Sequence, residues 1–342
     1  MPTLAVKYRP QTFDDVVEQN VIKAILQNQI DKNMVKNAYL FCGPAGCGKT
    51  TNGRLFAKYL NNNSFTNVME LDAASHNGVD DIRKIVEDSQ FKPIGTPYRL
   101  YIIDECHVLS GQAWQAALKT LEEPTPTSIF IFCTTDPQKI PATIISRVQR
   151  YDFQRITHSG IVNRLKYIIE SENNEGHSYT YDEDAISYIA KLADGGMRDS
   201  ITLLEKALAY DPNVTMDSVT KALGTVDYNT MFDLTDAMCK MDKMSVIEII
   251  ENIHRGGLEL KQFIKNYNYF VLDLCKYDIL KNFEYLQIPN TFGERIKKYT
   301  KEDFAFFTSL LNEVINLNSS IKWESTPKPI IESTFILLCS EA

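Results

Sequence analysis

Apolar and polar positions follow two periods along this chain, and the change from one to the other marks out its organisation. Short apolar runs bounded by turn residues come first: AYLFC at 38–42, LYII at 100–103 and SIFIFC at 128–133. Runs this short predict buried strands. Between them the spacing turns helical, as at Leu55, Phe56 and Tyr59. Strands alternating with helices across 38–150 predict a parallel α/β sheet covered on both faces. ATIISRVQRYDF (142–153) reads as a further strand end, straddled by Arg147 and Arg150. Beyond it the pattern is helical. Ile161, Leu165, Ile168 and Ile169 share one face, as do Ile186, Ile189 and Leu192, which predicts a small helical domain over 157–224. The segment 244–277 reads as two amphipathic helices parted by Gly256-Gly257, with Leu260, Ile264, Tyr267 and Val271 in helical register. PKPIIESTFILLCS (327–340) reads as a last helix opened by prolines. The expected domains are therefore 1–156, 157–224 and 225–342.

Composition narrows the class. A chain of 342 residues, 44% hydrophobic and 23% charged, is that of a globular protein of two or three domains. No run approaches the roughly 18 apolar residues of a membrane span, and MPTLAVKYRP lacks a signal-peptide core, so a cytoplasmic location without a membrane partner is expected. The seven cysteines include no C-x-x-C pair, which argues against a zinc ribbon or a redox motif. A net charge of −8 argues against a protein that coats DNA, while 36 basic residues leave room for a local basic surface.

The chemistry concentrates at strand ends. GPAGCGKT (43–50) matches G-x-x-x-x-G-K-[ST], between a strand and a helix as the motif requires. Gly43, Gly46 and Gly48 let the backbone wrap a phosphate chain, with Pro44, Ala45, Cys47 and Thr51 completing the cradle. Lys49 would reach the β/γ-phosphates and Thr50 would help hold Mg²⁺. RLYIIDECH ends in two carboxylates: Asp104 is suited to Mg²⁺ and Glu105 to polarising a water, which an ATPase needs. After the third strand, Thr134 could contact the γ-phosphate or could simply cap the strand.

A family likeness rests on segments that surround this loop in order: KYRPQTFDDVVEQ (7–19), LDAASHNGVDDIR (71–83), LKTLEEP (118–124), TTDPQKIPATIISR (134–147) and GGMRDSITLLEKA (195–207). Together they resemble the gamma/tau ATPase subunit of the bacterial DNA polymerase III clamp loader and, more distantly, the small subunits of replication factor C. The likeness is dense over 1–225 and thin afterwards. It implies an AAA+ fold with a helical lid and an all-α collar. It further implies a five-membered spiral, homo- or hetero-oligomeric, that uses ATP and Mg²⁺ to open a sliding clamp and place it on primer-template DNA. Arg9, Pro10 and Val17 would then line the adenine and ribose pocket. Thr134 would be the sensor on the third strand, and Arg198 the second sensor on the lid. Arg147 would reach a neighbouring subunit's ATP, although Val148 stands where the family has cysteine. Arg150 and Arg155 gain no role and read as exposed charges.

Other departures are expected to matter. The interval LNNNSFTNVME (60–70) replaces the family's four-cysteine zinc module, so no zinc is expected. Glu18 stands in place of the usual glycine before Gln19, and Gly53 interrupts the helix after the phosphate loop. The chain ends without the long tail of tau-type subunits. Candidate DNA contacts are helix starts around Ser75-His76-Asn77 and Ser110-Gly111-Gln112, and Lys119. Each could equally be a solvated surface residue. Competing readings are another AAA+ motor, such as a Holliday-junction helicase or a replication initiator, and a stator that does not hydrolyse ATP. An initiator would carry a helix-turn-helix beyond the lid, and a stator would lack the phosphate loop or the acidic pair.

Overall fold

The computed structural model describes residues 2–76, 78–224, 226–283 and 285–341, the side chains of Asn290, Ser340 and Glu341 excepted. Asn77 and Thr225, which the sequence reading placed at a helix start and at a domain boundary, lie outside the described residues. The chain forms two compact units. One runs to Ser171 and takes in Leu192–Thr202; the other comprises Glu172–Lys191 and the chain from Leu203 onward.

In the first unit, α1 (Leu4–Lys7) and α2 (Asn20–Asp31) precede β1 (Ala38–Cys42) and α3 (Lys49–Leu60). Then follow β2 (Val68–Asp72), α4 (Val79–Asp88), β3 (Arg99–Asp104), α5 (Gly111–Glu122), β4 (Ser128–Thr134), α6 (Ala142–Ile145), β5 (Gln149–Asp152) and the start of α7 (His158–Asn174). The five strands form one parallel sheet in the order β2-β3-β4-β1-β5. The central strands β1 and β4 are buried at every position, as their unbroken apolar runs require. The edge strands β2 and β5 carry Glu70, Arg150 and Asp152, polar side chains that discourage pairing with another chain.

Side-chain alternation divides the core into two layers. Tyr39, Phe41, Ile102, Ile131 and Tyr151 pack with Phe56 of α3 and Leu26 of α2. Leu40, Tyr101, Ile103, Phe130 and Phe132 pack with Ile82 of α4 and Trp114 of α5. The glycine within α3 now has a reason. A Cβ on Gly53 would sit 3.3 Å from Ile131 and 3.8 Å from Ile102, so its absence lets the helix lie close on the sheet. The 60–70 interval ends α3, turns over 61–67 and enters β2: Asn62, Asn63 and Asn67 all have positive φ, a conformation asparagine tolerates. The buried Asn61 amide donates to Thr66 O (3.0 Å) and Tyr98 O (2.9 Å) and accepts from Tyr98 N (3.0 Å).

Two local expectations change. The 142–153 stretch is not one strand: it forms α6 and then, after a turn, β5. Pro141 opens a helical turn closed by Ser146 N to Ala142 O (3.1 Å), and ladder pairing with β1 begins only at Gln149. The helix expected near Ser75 starts instead at Val79, capped by Gly78; Ser75 lies in the turn before it.

The second unit is almost wholly helical. A two-strand pairing of β6 (Thr180–Tyr181) with β7 (Asn213–Val214) accompanies α8 (Glu183–Leu192), the latter part of α9 (Met197–Tyr210) and α10 (Met216–Leu223). The remaining helices are α11 (Tyr228–Cys239), α12 (Lys243–Arg255), α13 (Leu260–Leu280), α14 (Gly293–Ile296), α15 (Lys301–Ser320) and α16 (Lys328–Glu341). An aromatic core forms where Phe232, Tyr267, Phe270 and Phe335 meet, with the Tyr267 hydroxyl 2.8 Å from that of Thr235. The buried Asp273 carboxylate takes the Ile288 N–H at 3.0 Å, and Lys191 donates to the carbonyls of Leu286 and Gln287 at 2.8 and 3.0 Å. No described helix is long and apolar enough to cross a membrane.

The packing at Gly53 is testable. Gly53→Val drives two methyls into the Ile131 contact and should destabilise the first unit by about 1–3 kcal/mol. A lower midpoint of urea unfolding with unchanged slope is expected; an unchanged midpoint would show that α3 has room to shift.

Candidate functional site

The strand register brings three C-terminal strand ends level. Cys42 at the end of β1 lies opposite Thr134 of β4 and Asp152 of β5, while Asp104 of β3 lies opposite Asp72 of β2. The loop 43–48 leaves β1 here and must turn sharply into α3. Gly43, Gly46 and Gly48 have φ of +150°, +71° and +97°, a region that side chains with a Cβ rarely adopt. At Gly43 a Cβ would also meet the Phe153 carbonyl oxygen at 2.5 Å.

Lys49, at the first position of α3, is only 5% exposed. Its ammonium donates to the carbonyls of Gly43 (2.8 Å) and Pro44 (2.7 Å), so the charge is held within the loop. The Thr50 hydroxyl donates to Asp104 Oδ2 at 2.7 Å, joining the loop to the end of β3. A hydroxyl and a carboxylate at this spacing are hard oxygen donors of the kind Mg²⁺ takes, so the residues fit that ion. Glu105 adopts φ +46°, its N–H bonded to Asp104 Oδ1 at 3.0 Å, which turns the two acidic side chains in different directions.

What holds Glu105 was not evident from the sequence. The Thr135 hydroxyl donates to Glu105 Oε2 at 3.0 Å, and His107 Nδ1 lies 3.3 Å from the same oxygen. Thr134 is fully buried; its hydroxyl accepts the Asp136 N–H (3.0 Å) and lies 3.3 Å from His107 Nδ1. At the end of β4, Thr135 is therefore the hydroxyl that contacts Glu105, while Thr134 lies beside His107. Neighbouring residues at a strand end face opposite ways, so only the register separates them. Burial raises the thiol pKa of Cys42 to about 11 and also raises those of Cys47, Cys106 and Cys133, leaving these cysteines as protonated packing groups.

The N-terminal segment borders the loop. Arg9, Pro10 and Val17 are half-buried, and Val17 packs against Gly160 of α7. Gln19 Nε2 donates to Gln154 O (2.7 Å) and lies 3.5 Å from Cys47 O. Glu18 has φ +57°, which explains why a glycine suits this position. Here the carboxylate finds compensation, accepting the Thr157 N–H (3.1 Å) and the Thr157 hydroxyl at the start of α7, where the helix dipole favours a negative charge. On the other side of the loop, Met197 N–H donates to Gly46 O at 3.0 Å. Arg198 follows, exposed, in the first turn of α9.

Arg147 is engaged elsewhere. Its guanidinium bonds Glu122 Oε1 (2.7 Å), Thr143 O (2.6 Å) and Ser146 Oγ (3.0 Å). Arg150 pairs with Asp152 on its own strand at 2.7 Å. Arg155 is not a lone exposed charge, since it bonds Asp194 Oδ2 at 2.5 Å. Among the DNA candidates, the Ser110 hydroxyl caps α5 by accepting Ala113 N–H (3.2 Å), while Gln112 and Lys119 are exposed on that helix. Ser75 bonds Asp72 (3.2 Å) and His76 lies 3.8 Å from Asp81, so acidic groups surround that turn.

A glycine loop with buried lysine, a hydroxyl–carboxylate pair, a second carboxylate next to it at the end of β3 and a helical lid define an AAA+ nucleotide-binding protein. The fold agrees: the Thermotoga maritima RuvB Holliday junction branch migration motor superposes with a TM-score of 0.52 at 20% identity, over 68% of this chain and 79% of that one. Family models match in order, that of the DNA polymerase III delta subunit over residues 61–157 and that of the DNA polymerase III clamp loader subunit ATPase lid domain over 160–211. DNA polymerase III subunit gamma of Buchnera aphidicola is 35% identical over 76% of this chain and 77% of its own length. The tau subunits of Bacillus subtilis (33% identical over 97% of this chain) and Escherichia coli (35% over 75%) also match. The chain belongs to the DNA polymerase III gamma/tau family. It spans 62% of the Bacillus subtilis protein and 42% of the Escherichia coli one.

The Glu18 contact gives a test. Glu18→Ala keeps the positive φ and loses the Thr157 contacts, so it should cost about 1–2 kcal/mol. Glu18→Gly loses the same contacts but relieves the backbone and should cost less than half as much by thermal melting. Equal losses would contradict strain at this residue.

Proposed function

We propose that this chain is an ATP-hydrolysing motor subunit of a clamp loader, working in the cytoplasm within a five-membered spiral of like or related subunits. The observation that carries this reading is the intact hydrolytic set: Lys49 within its loop, Thr50 against Asp104, and Glu105 separately held by Thr135 and His107. A stator that scaffolds without hydrolysis has no need of Glu105. The RuvB likeness, at 20% identity, bears on fold alone.

In this reading residues 1–156 bind ATP, 157–224 form the lid and 225–342 the collar through which subunits associate. The loop N–H groups and Lys49 bind the β/γ-phosphates, and Lys49 exchanges its two carbonyl partners for phosphate oxygens. Arg9, Pro10 and Val17 shape the base and ribose side. Thr50 and Asp104 would hold Mg²⁺, which when bound would supply charge neutralisation at the phosphates. Glu105 orients and deprotonates the attacking water, with Thr135 and His107 fixing its carboxylate. Arg198 contacts the γ-phosphate from the lid. Arg147 serves the ATP of a neighbouring subunit, which makes turnover depend on assembly. To do so it leaves Glu122, a surface pair weak enough to exchange. Ser110, Gln112 and Lys119, with Ser75 and His76 as weaker candidates in their acidic turn, face the phosphates of primer-template DNA. The product of the cycle is a sliding clamp closed on that DNA.

ATP turnover of the assembled complex should rise when the cognate clamp and primed DNA are added; unchanged turnover would sink the clamp-loading role. Glu105→Gln should retain MgATP binding while hydrolysis falls by about a hundredfold or more. Arg147→Ala should leave binding by its own subunit intact and lower turnover of the assembly by about a thousandfold, the scale of a transition-state arginine. An isolated chain that turned over as fast as the complex would remove Arg147 from that role.

A further inference from the structure

The segment Phe153–Ile156, between β5 and α7, touches the end of β1, the phosphate loop, the N-terminal segment and the turn before α9. Phe153 N–H donates to Cys42 O at 2.7 Å, and its own carbonyl lies against Gly43. Gln154 exchanges two hydrogen bonds with the Gln19 side chain, at 2.7 and 3.3 Å. Ile156 N–H donates to Gly195 O at 3.1 Å. Arg155 makes the remaining link: its guanidinium bonds both the carboxylate of Asp194, at 2.5 Å, and the Asp194 carbonyl.

Asp194 and Gly195 have φ of +46° and +83°, so the chain reverses there before α9. Both glycines of that turn are fitted to their surroundings. A Cβ on Gly195 would lie 2.6 Å from Arg155 Cβ, and the Cβ absent from Gly46 would lie 3.0 Å from Gly196 Cα. Gly196 N–H closes the turn on Ala193 O (2.8 Å), and the next N–H, that of Met197, reaches Gly46 O at 3.0 Å. The chain of contacts thus runs from Arg155 through the 194–196 turn to the phosphate loop, and Arg198 is the residue after Met197.

We propose that Arg155 is a positioning residue: by gripping the Asp194 turn it seats the first turn of α9 on the phosphate loop and so sets the reach of Arg198 toward the nucleotide. An exposed ion pair alone contributes little, and these side chains are 55% and 79% exposed. Two features separate this pair from an ordinary one. One guanidinium nitrogen, Nη1, meets both the carboxylate and the backbone carbonyl of Asp194, and the glycine beside it removes the Cβ that would bar the approach. This inference rests on the ATP-site reading above.

The experiment measures the affinity of the full chain for a ribose-labelled fluorescent ATP analogue with Mg²⁺, alongside nucleotide-free melting. Arg155→Ala should weaken binding about five- to tenfold, and Arg155→Lys should restore most of it. Arg155→Ala combined with Arg198→Ala should bind no more weakly than Arg198→Ala alone, because one acts through the other. The nucleotide-free melting temperature should stay within about 2 °C of the parent. Wild-type affinity in Arg155→Ala, or a double variant weakened by the product of the single effects, would overturn the positioning role. So would lowered melting in both Arg155→Ala and Asp194→Asn that accounts for the lost binding. A wild-type chain that does not bind the analogue at all would sink the ATP-site reading itself.

Discussion

A lysine ammonium almost wholly removed from water is the constraint on which the nucleotide unit depends. Burying such a charge costs several kcal/mol unless oxygen atoms surround it. Lys49 finds them in two carbonyls of its own loop, and those carbonyls can point inward only because Gly43, Gly46 and Gly48 accept positive φ. The loop in turn needs a flush ledge of strand ends to sit on, which the five parallel strands supply. The same loop brings backbone N–H groups and a cation together, the groups a phosphate chain requires. Structure and chemistry here answer one electrostatic demand.

Around that loop the molecule is organised by contacts that report on it. Thr50 connects it to the acidic end of β3, Gln19 to the N-terminal segment, and Gly46 to the first turn of α9. The Thr50 and Gly46 contacts are short, at 2.7 and 3.0 Å, and join the loop directly to the acidic pair and to the first turn of α9. The surface arginines are graded by the same criterion. Arg150 satisfies a neighbour on its own edge strand, Arg155 fastens a turn, and Arg147 rests on Glu122 in a pair that solvent weakens.

Much of this could be read from the residues alone. The unbroken apolar strands, the glycine loop and the carboxylates of Asp104 and Glu105 follow from period and motif, since burial on both faces leaves little freedom in what such a strand contains. The helix pair on either side of Gly256-Gly257 appears as α12 and α13, as the helical spacing and the glycine break require. What escaped depended on register or on distant partners. Thr134 and Thr135 are identical in type and differ only in which way the strand end faces. The importance of His107 arises from its place beside Glu105, with no local motif to announce it. The apolar run in 142–146 had no period long enough to separate a strand from a helical turn after Pro141. Arg155 looked unremarkable because its partner lies 39 residues away. Glu18 and Gly53 stood out as departures, but their meaning, a positive φ and a close helix–sheet approach, needed coordinates.

The most direct test is a structure of the chain determined with Mg²⁺ and a non-hydrolysable ATP analogue. Lys49 Nζ should then have left the carbonyls of Gly43 and Pro44 for oxygens of the β- and γ-phosphates, with the loop glycines keeping their positive φ. An analogue bound while Lys49 still rests on those two carbonyls, or bound away from the loop, would contradict the assignment.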